Sequence, residues 1–360
     1  MTELIKKILV SNSIFEKDTV SVNILGSSLN LKGSATNQSM YNAFLASLGE
    51  FTERAVELSF PEGFNKIVSY DLLNNKIISK NYIDGFLLRN KDDFFNLSTF
   101  GDSSGSAFFT NIKMAIEKAF FEFIERQSLV YSFLTKSPGF KVDNNLIANS
   151  MKNYRGYDFT TLYVNNISLV DNVVVILIVG VNNNSYNIGL GTGYTYKQAI
   201  SKALSEAMGT RPNKITSYKI KEREQELDSL DADLCNLSSI QVSYDSIFFD
   251  NLTPNFVKKR YSYLDEGNEV HNIKTQNPMK NNTIIKNIKI VASELQIEPQ
   301  IMFLGSGPSK TKSGYVIKIS APGCYPHIFN SLLDPLKYKI SFFKNKKGIF
   351  PNAFKYLPFP

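Results

Sequence analysis

The chain has 360 residues, 43% of them hydrophobic, and a formal charge of +7, enough apolar material for a sizeable core in one large or two ordinary domains. The positive charge is a weak argument for nucleic acid, since Lys is spread through an Asn- and Lys-rich chain, and it suits an acidic peptide or protein partner equally well. Two distant cysteines, Cys235 and Cys324, indicate neither a disulfide framework nor a zinc site. Met1–Phe15 lacks a signal-type apolar core and the longest apolar run, Val173–Val181, is too short to cross a bilayer, so the expectation is a soluble cytoplasmic protein with no membrane partner.

In chain order, Val20–Leu31 is apolar and β-rich and leads through Lys32-Gly33-Ser34 into GSATNQSMYNAFLASLGEFTER, which ends at Arg54. Ile67–Tyr70 and Ile77–Tyr82 flank Leu73-Asn74-Asn75-Lys76 and predict a hairpin. After Asp102-Ser103-Ser104 comes GSAFFTNIKMAIEKAFFEFIER, Gly105–Arg126. Asp158–Val164, Val173–Val181 and Tyr186–Leu190 read as strands, and the Val- and Ile-rich middle one should be fully buried. The third such stretch follows, GLGTGYTYKQAISKALSEAMGTR, Gly189–Arg211.

The character shifts over residues 213–282, which read as a helical and loop insertion. Lys219–Leu234 is a charged, solvated helix, and Asn251–Asn282, polar and rich in Asn and Lys, reads as loops. Ile284–Leu295 predicts a helix, and Gln300–Leu304 pairs with Tyr315–Ser320 across Gly305-Ser306-Gly307-Pro308. His271 and His327 are isolated and have no place in a triad. The tail Phe350–Pro360, FPNAFKYLPFP, is aromatic and Pro-bounded, unlike a frayed hydrophilic end. Pro358 and Pro360 lower the entropy cost of docking it.

The three Gly-led stretches are near copies. Aligned on Glu50, Glu122 and Glu206, a Gly lies seventeen residues upstream in each (Gly33, Gly105, Gly189), an Ala seven upstream (Ala43, Ala115, Ala199) and a small residue three upstream (Ser47, Ala119, Ala203). Such repeats set architecture. As helices, each carries a buried stripe (Phe44, Leu48, Phe51; Ile116, Phe120, Phe123; Ile200, Leu204, Ala207) and beside it a stripe of small residues leading to the acids. Small neighbours there let another backbone or a ligand approach. One ExxER alone reads as a solvated helix face of charge pairs. Three at one offset, each opened by a Gly-containing turn, point to carboxylates gathered around a cation, and oxygen-only ligation suits Mg²⁺ with a nucleotide's phosphates. A helix N-terminus after such a turn favours anions, and Arg54, Arg126 and Arg211 are available for phosphate oxygens.

A Gly-rich turn followed by A-x6-ExxER, twice, and then by A-x6-E-x4-R resembles the YcaO family of ATP-using enzymes. Within it the chain is most similar to the cyclodehydratase subunit of microcin-type thiazole/oxazole synthases, through EF-x-ERQSL at Glu122–Leu129 and the end Pro358-Phe359-Pro360. The resemblance implies an α+β fold in a single domain over residues 1–360, with mixed sheets backed by helices and three turn-helix motifs around a nucleotide site. It implies ATP and Mg²⁺ as cofactors, with Glu50, Glu53, Glu122, Glu125 and Glu206 on the metal and nucleotide. Lys32, Ser34, Arg54, Arg126 and Arg211 would join them on the nucleotide. The implied reaction turns Cys, Ser or Thr of a ribosomally made precursor peptide into azolines, ATP phosphorylating the amide oxygen so that it leaves as phosphate. The tail, residues 350–360, would reach the site, with Pro358 and the carboxylate of Pro360 assisting proton transfer. No fused ThiF-like module is recognised, so a separate leader-binding partner would present the peptide, a flavin-dependent dehydrogenase would follow, and the chain would be one subunit of a complex.

Some positions depart from the family pattern: Phe109 stands where a second Gly is common, Gly209 where Gln is frequent, Lys202 where Arg is frequent, and Ala46 where Ser is usual. They leave open an inactive scaffold. Thioamide or amidine chemistry within the family stays open too. Outside the family a basic nucleic-acid-binding protein ranks last, because the aromatics mostly fall at core positions.

Overall fold

The protein is described by a computed structural model at residues 5–12, 20–26, 31–37, 39–58, 66–81, 104–143, 147, 159–209, 252–269, 283–307, 314–326, 333–339 and 348–359. Strands β1 (Ile5–Asn12), β2 (Val20–Gly26) and β3 (Lys32–Asn37) form an antiparallel sheet in sequence order. A second sheet has the order β5 (Lys76–Asn81), β4 (Lys66–Asp71), β12 (Gln300–Gly307), β13 (Gly314–Ser320), β6 (Ser106–Phe109). A third runs β10 (Tyr186–Gly193), β9 (Val174–Val181), β8 (Thr161–Asn166), β7 (Phe140–Lys141), β11 (Asn268–Glu269), antiparallel except for β7 with β11. Among the described residues no helix is long and apolar enough to cross a membrane.

Each sheet is backed by a helix. α1 (Met40–Leu58) closes Ala43 and Phe51 over Val22 and Ile24. α2 (Ile112–Thr135) starts where the Asn111 side chain accepts from the N–H groups of Lys113 and Met114, a side-chain cap that satisfies otherwise orphaned donors. It buries Phe120, Phe123 and Ile124 with Ile317 and Ile319 of β13. α3 (Tyr196–Gly209) lays Ala199, Ile200, Ala203 and Leu204 on Val174, Ile176 and Ile178. β9 is buried along its whole length because its side-chain period of two divides it between two cores: Val175, Leu177 and Val179 face the α2 core, and Val174, Ile176 and Ile178 face α3. Each such side chain contributes about 1.5–3 kcal/mol of transfer free energy, so a strand with no polar face holds the two layers together.

The hairpin over 66–81 forms with Asn75 in the left-handed region (φ 51°), and α5 (Ile284–Leu295) has the expected bounds. Two expectations are corrected. Gly305–Gly307 is not a turn: it continues β12, paired with β13 past an irregularity in register between Phe303 and Gly305. Residues 252–269 are not loop: α4 (Pro254–Tyr261), a following 3-10 turn and β11 pack into the main core through Leu252, Val257, Tyr261 and Leu264. Lys219–Leu234, His271 and His327 lie outside the described residues.

Candidate active site

Glycines fix where the acids sit, and they do so from strands, not from the turns expected. Gly33 belongs to β3 and Gly189 to β10. A Cβ on Gly33 would lie 2.0 Å from the Ser47 carbonyl oxygen, and on Gly189 it would lie 2.0 Å from that of Ala203. Only glycine allows a strand backbone so close to a helix. The stripe of small residues is therefore filled by backbone: Ala43, Ser47, Ala199 and Ala203 are fully buried. That close approach delivers strand N–H groups to the carboxylates. Ser34 donates to Glu50 Oε2 at 2.7 Å, and Leu190 donates to Glu206 Oε2 at 2.8 Å. Gly105 differs, standing just before β6 with φ 80° beneath the Ile319 carbonyl.

The acids then divide. Glu50, partly exposed, pairs with Arg54 on its own helix (2.8 Å), and Glu53 accepts from the Phe108 N–H of β6. The denser cluster lies between α2 and α3. Buried Glu125 accepts on one oxygen from Thr192 Oγ1 (2.7 Å) and from Lys202 Nζ (2.8 Å). Glu122 and Glu206 flank it, and burial pushes each carboxyl up to about 7, the Glu125 charge adding to the effect while Arg126 and Lys202 oppose it. Glu122 has no hydrogen-bond partner among the described residues. Burial pulls Lys202 down, but Glu125, Glu206 and Glu122 outweigh it and hold the ammonium above the ordinary lysine value. Lys118, one turn before Glu122, is held below that value by burial and by Lys202. Lys318 of β13, itself buried, donates to the Ser104 carbonyl (2.8 Å) and sends its charge toward Glu122.

The tail closes the other side. Phe359, fully buried, puts its ring 4.6 Å from the guanidinium carbon of Arg126, within cation–π range, and the carbonyl of buried Pro358 accepts from Tyr261 OH (2.8 Å).

Of the residues singled out in the sequence, Glu122, Glu125, Arg126 and Glu206 come together, and Pro358 belongs to the tail docked at Arg126. Glu50, Glu53, Arg54 and Ser34 form the contacts just described, Lys32 is exposed on β3, and Arg211 and Pro360 lie outside the described residues. Among the described residues no three His, Cys, Asp or Glu side chains stand close enough to enclose a metal ion by themselves. Thr192, Lys202, Lys318 and Tyr261 were not singled out as site residues. Lys202 was legible, lying one helical turn before Glu206 on the same face, and Thr192 sits between two glycines near the end of β10.

Residues 86–252 match the model of a family described as YcaO cyclodehydratase, ATP- and Mg²⁺-binding. No curated protein matches the chain. Among solved structures it is similar to a chain of the Escherichia coli microcin synthetase McbBCD complex with pro-MccB17 bound, at 15% identity and a TM-score of 0.68, over 98% of this chain and 96% of that one. A YcaO from Methanopyrus kandleri bound with AMPPCP and Mg²⁺ matches at 11% identity and a TM-score of 0.62, over 92% and 89%. A heterocyclase in complex with substrate and cofactor matches at 12% and 0.60, over 90% of this chain and 50% of that one. At these identities the structures speak for the fold. They show that the chain has the mixed α+β fold of the solved YcaO proteins, and residues 86–252 within it match the YcaO family model.

Proposed function

We propose that this chain is an ATP-dependent cyclodehydratase that converts Cys, Ser or Thr of a ribosomally made precursor peptide to azolines. The observation that carries the reading is the placement on one helix, α2, of Glu122 and Glu125 beside Glu206, and of Arg126 beneath the docked tail. Mg²⁺ usually takes one or two protein carboxylates and completes its shell with phosphate oxygens and water. Buried Glu125 with half-buried Glu122 and Glu206, the last two pushed up to about 7, fits that demand, since a cation there relieves their mutual repulsion. Glu50 and Glu53 complete the proposed acidic set, with Lys32, Ser34, Arg54, Arg126 and Arg211 toward the nucleotide.

Bound ATP supplies the phosphoryl group that makes the amide oxygen a leaving group. The chain's own part is to balance phosphate charge with Arg126 and to bring the tail, Pro358 and Pro360, to where a proton must leave the attacking thiol or hydroxyl. Partners follow from the same reading: a ThiF-like protein to present the peptide, a flavin-dependent dehydrogenase after it, and assembly as one subunit of a synthase. Support comes from likeness to a chain of a microcin synthetase complex with pro-MccB17 bound.

Calorimetry of Mg²⁺ with AMPPCP, on the wild type and on Glu122→Gln with Glu125→Gln, is the test. Binding lost in the double variant is the expected result. Binding that survives the double substitution, or is missing from the wild type, would withdraw these acids from the site and leave the scaffold reading.

A further inference from the structure

The tail is fastened to the site helix at both ends. The last carbonyls of an α-helix lack intrahelical donors. At the end of α2, Lys136, left-handed at φ 51°, donates to the Phe133 and Ser132 carbonyls. Asn352, buried, supplies two more donors: its backbone N–H reaches the Leu134 carbonyl (3.2 Å) and its side-chain Nδ2 the Phe133 carbonyl (2.9 Å). From there the tail turns at residues 351–354 and runs back along the helix until Phe359 meets Arg126.

The last step is set by a tight turn. The Phe359 N–H donates to the Leu357 carbonyl at 2.9 Å, a three-residue turn centred on Pro358. Such turns need a central φ near −75°, which the proline ring already holds. The remaining freedom is the rotation of the whole turn, and Tyr261 removes it. Its ring is fully buried against Phe133 of α2, centroids 6.5 Å apart, and its hydroxyl donates to the Pro358 carbonyl.

We propose that Asn352 and Tyr261 are positioning residues for the proposed cyclodehydration: Asn352 sets the register of the tail on the end of α2, and Tyr261 sets the turn that lays Phe359 on Arg126. The inference rests on the proposed function for what the tail does, but not for how it is held.

Two signals on the full chain test it: hydrogen exchange of residues 356–359 by mass spectrometry, and the Arg126 Nε resonance in ¹⁵N-arginine-labelled protein, which the Phe359 ring shifts while stacked. Tyr261→Phe keeps the ring packed and removes one donor from a buried carbonyl. The expected result is about tenfold faster exchange in the tail, with the Arg126 signal moving toward its Phe359→Leu position and the melting temperature nearly unchanged. Asn352→Ala gives the same pair of changes from the other end. A purely structural role for Tyr261 would lower the melting temperature and leave the Arg126 signal in place, and that result would overturn the proposal. If Tyr261→Phe does not fold, Pro358→Ala, which only unlocks the turn, is read by the same signals and must move both. AMPPCP with Mg²⁺ is titrated alongside: absence of binding to the wild type sinks the proposed function, while the exchange and arginine signals still decide the clamp.

Discussion

Replacing Lys202 by Met asks what holds three carboxylates together before any metal arrives. At 2.8 Å the ammonium and Glu125 attract by about 6 kcal/mol if the effective dielectric constant is about 20. Lys202 is 48% exposed and Glu125 only 4%, so water screens much of that attraction. A broken buried pair costs about 3–5 kcal/mol and an exposed one about 0–1. This mixed pair falls near 2 kcal/mol. With about 2.1 cal/mol/K of unfolding entropy per residue over 360 residues, that is a fall of about 3 °C in melting temperature. The assay is a thermal melt in EDTA, repeated with Mg²⁺ and no nucleotide. Since Lys202 is ion-paired with Glu125, Mg²⁺ should raise the variant's melting temperature more than the wild type's. A variant that melts with the wild type in EDTA, or gains no more from Mg²⁺, refutes the reasoning.

Further outcomes follow from the same geometry. Glu122 and Glu206 have pKa values near 7 in the folded chain against an ordinary 4.5, so the folded chain binds protons more tightly than the unfolded one. Their contribution is full below about pH 4.5 and is lost as pH rises through about 7. Melts in EDTA should therefore be higher near pH 6 than near pH 8, with the slope flattened by Mg²⁺ and AMPPCP. Gly189→Ala puts a Cβ 2.0 Å from the Ala203 carbonyl, where only backbone could yield. A loss of about 3 kcal/mol or more is expected in chemical denaturation. Cys324 is half-buried, and desolvation pushes its thiol up to about 12, so in a Cys235→Ser chain alkylation near pH 8 should be slow until denaturant is added.

What the sequence disclosed depended on whether one local signal dominated. β9 was legible because a Val- and Ile-rich run with no polar side has only one sheet position to occupy. α5 was legible from its apolar period, with Thr283 capping it through the Lys286 N–H. α4 had its signals too, Thr253 as cap and Pro254 in the first turn. The Asn- and Lys-rich composition around them points the other way, while in the molecule burial of Val257 and Tyr261 decides. The glycines were misplaced for a different reason. Glycine serves both a turn that needs unusual dihedrals and a strand that needs close approach, and sequence alone does not separate the two. Gly33 and Gly189 are of the second kind and Gly105 has φ 80°. Tyr261 and Asn352 had no signal at all, because each matters through a residue far away in sequence.

The donors around the acids single out one of them. Glu50 has the Ser34 N–H and Arg54, Glu206 the Leu190 N–H, and Glu125 both Thr192 and Lys202. Glu122 has no hydrogen-bond donor among the described residues, and burial dominates its shift to about 7. At about pH 8 its charge is therefore a burden on the metal-free fold, of order 1–3 kcal/mol from a shift of this size. Glu122→Gln removes the charge and keeps the shape, so in EDTA the variant should melt a few degrees above the wild type while its affinity for Mg²⁺ with AMPPCP falls. The two effects have one cause, since a carboxylate left without donors is costly until a cation arrives. Melts in EDTA at about pH 8 decide it: a variant less stable than the wild type would mean that Glu122 is already compensated, and the acid best suited to meet the metal would have to be sought elsewhere in the cluster.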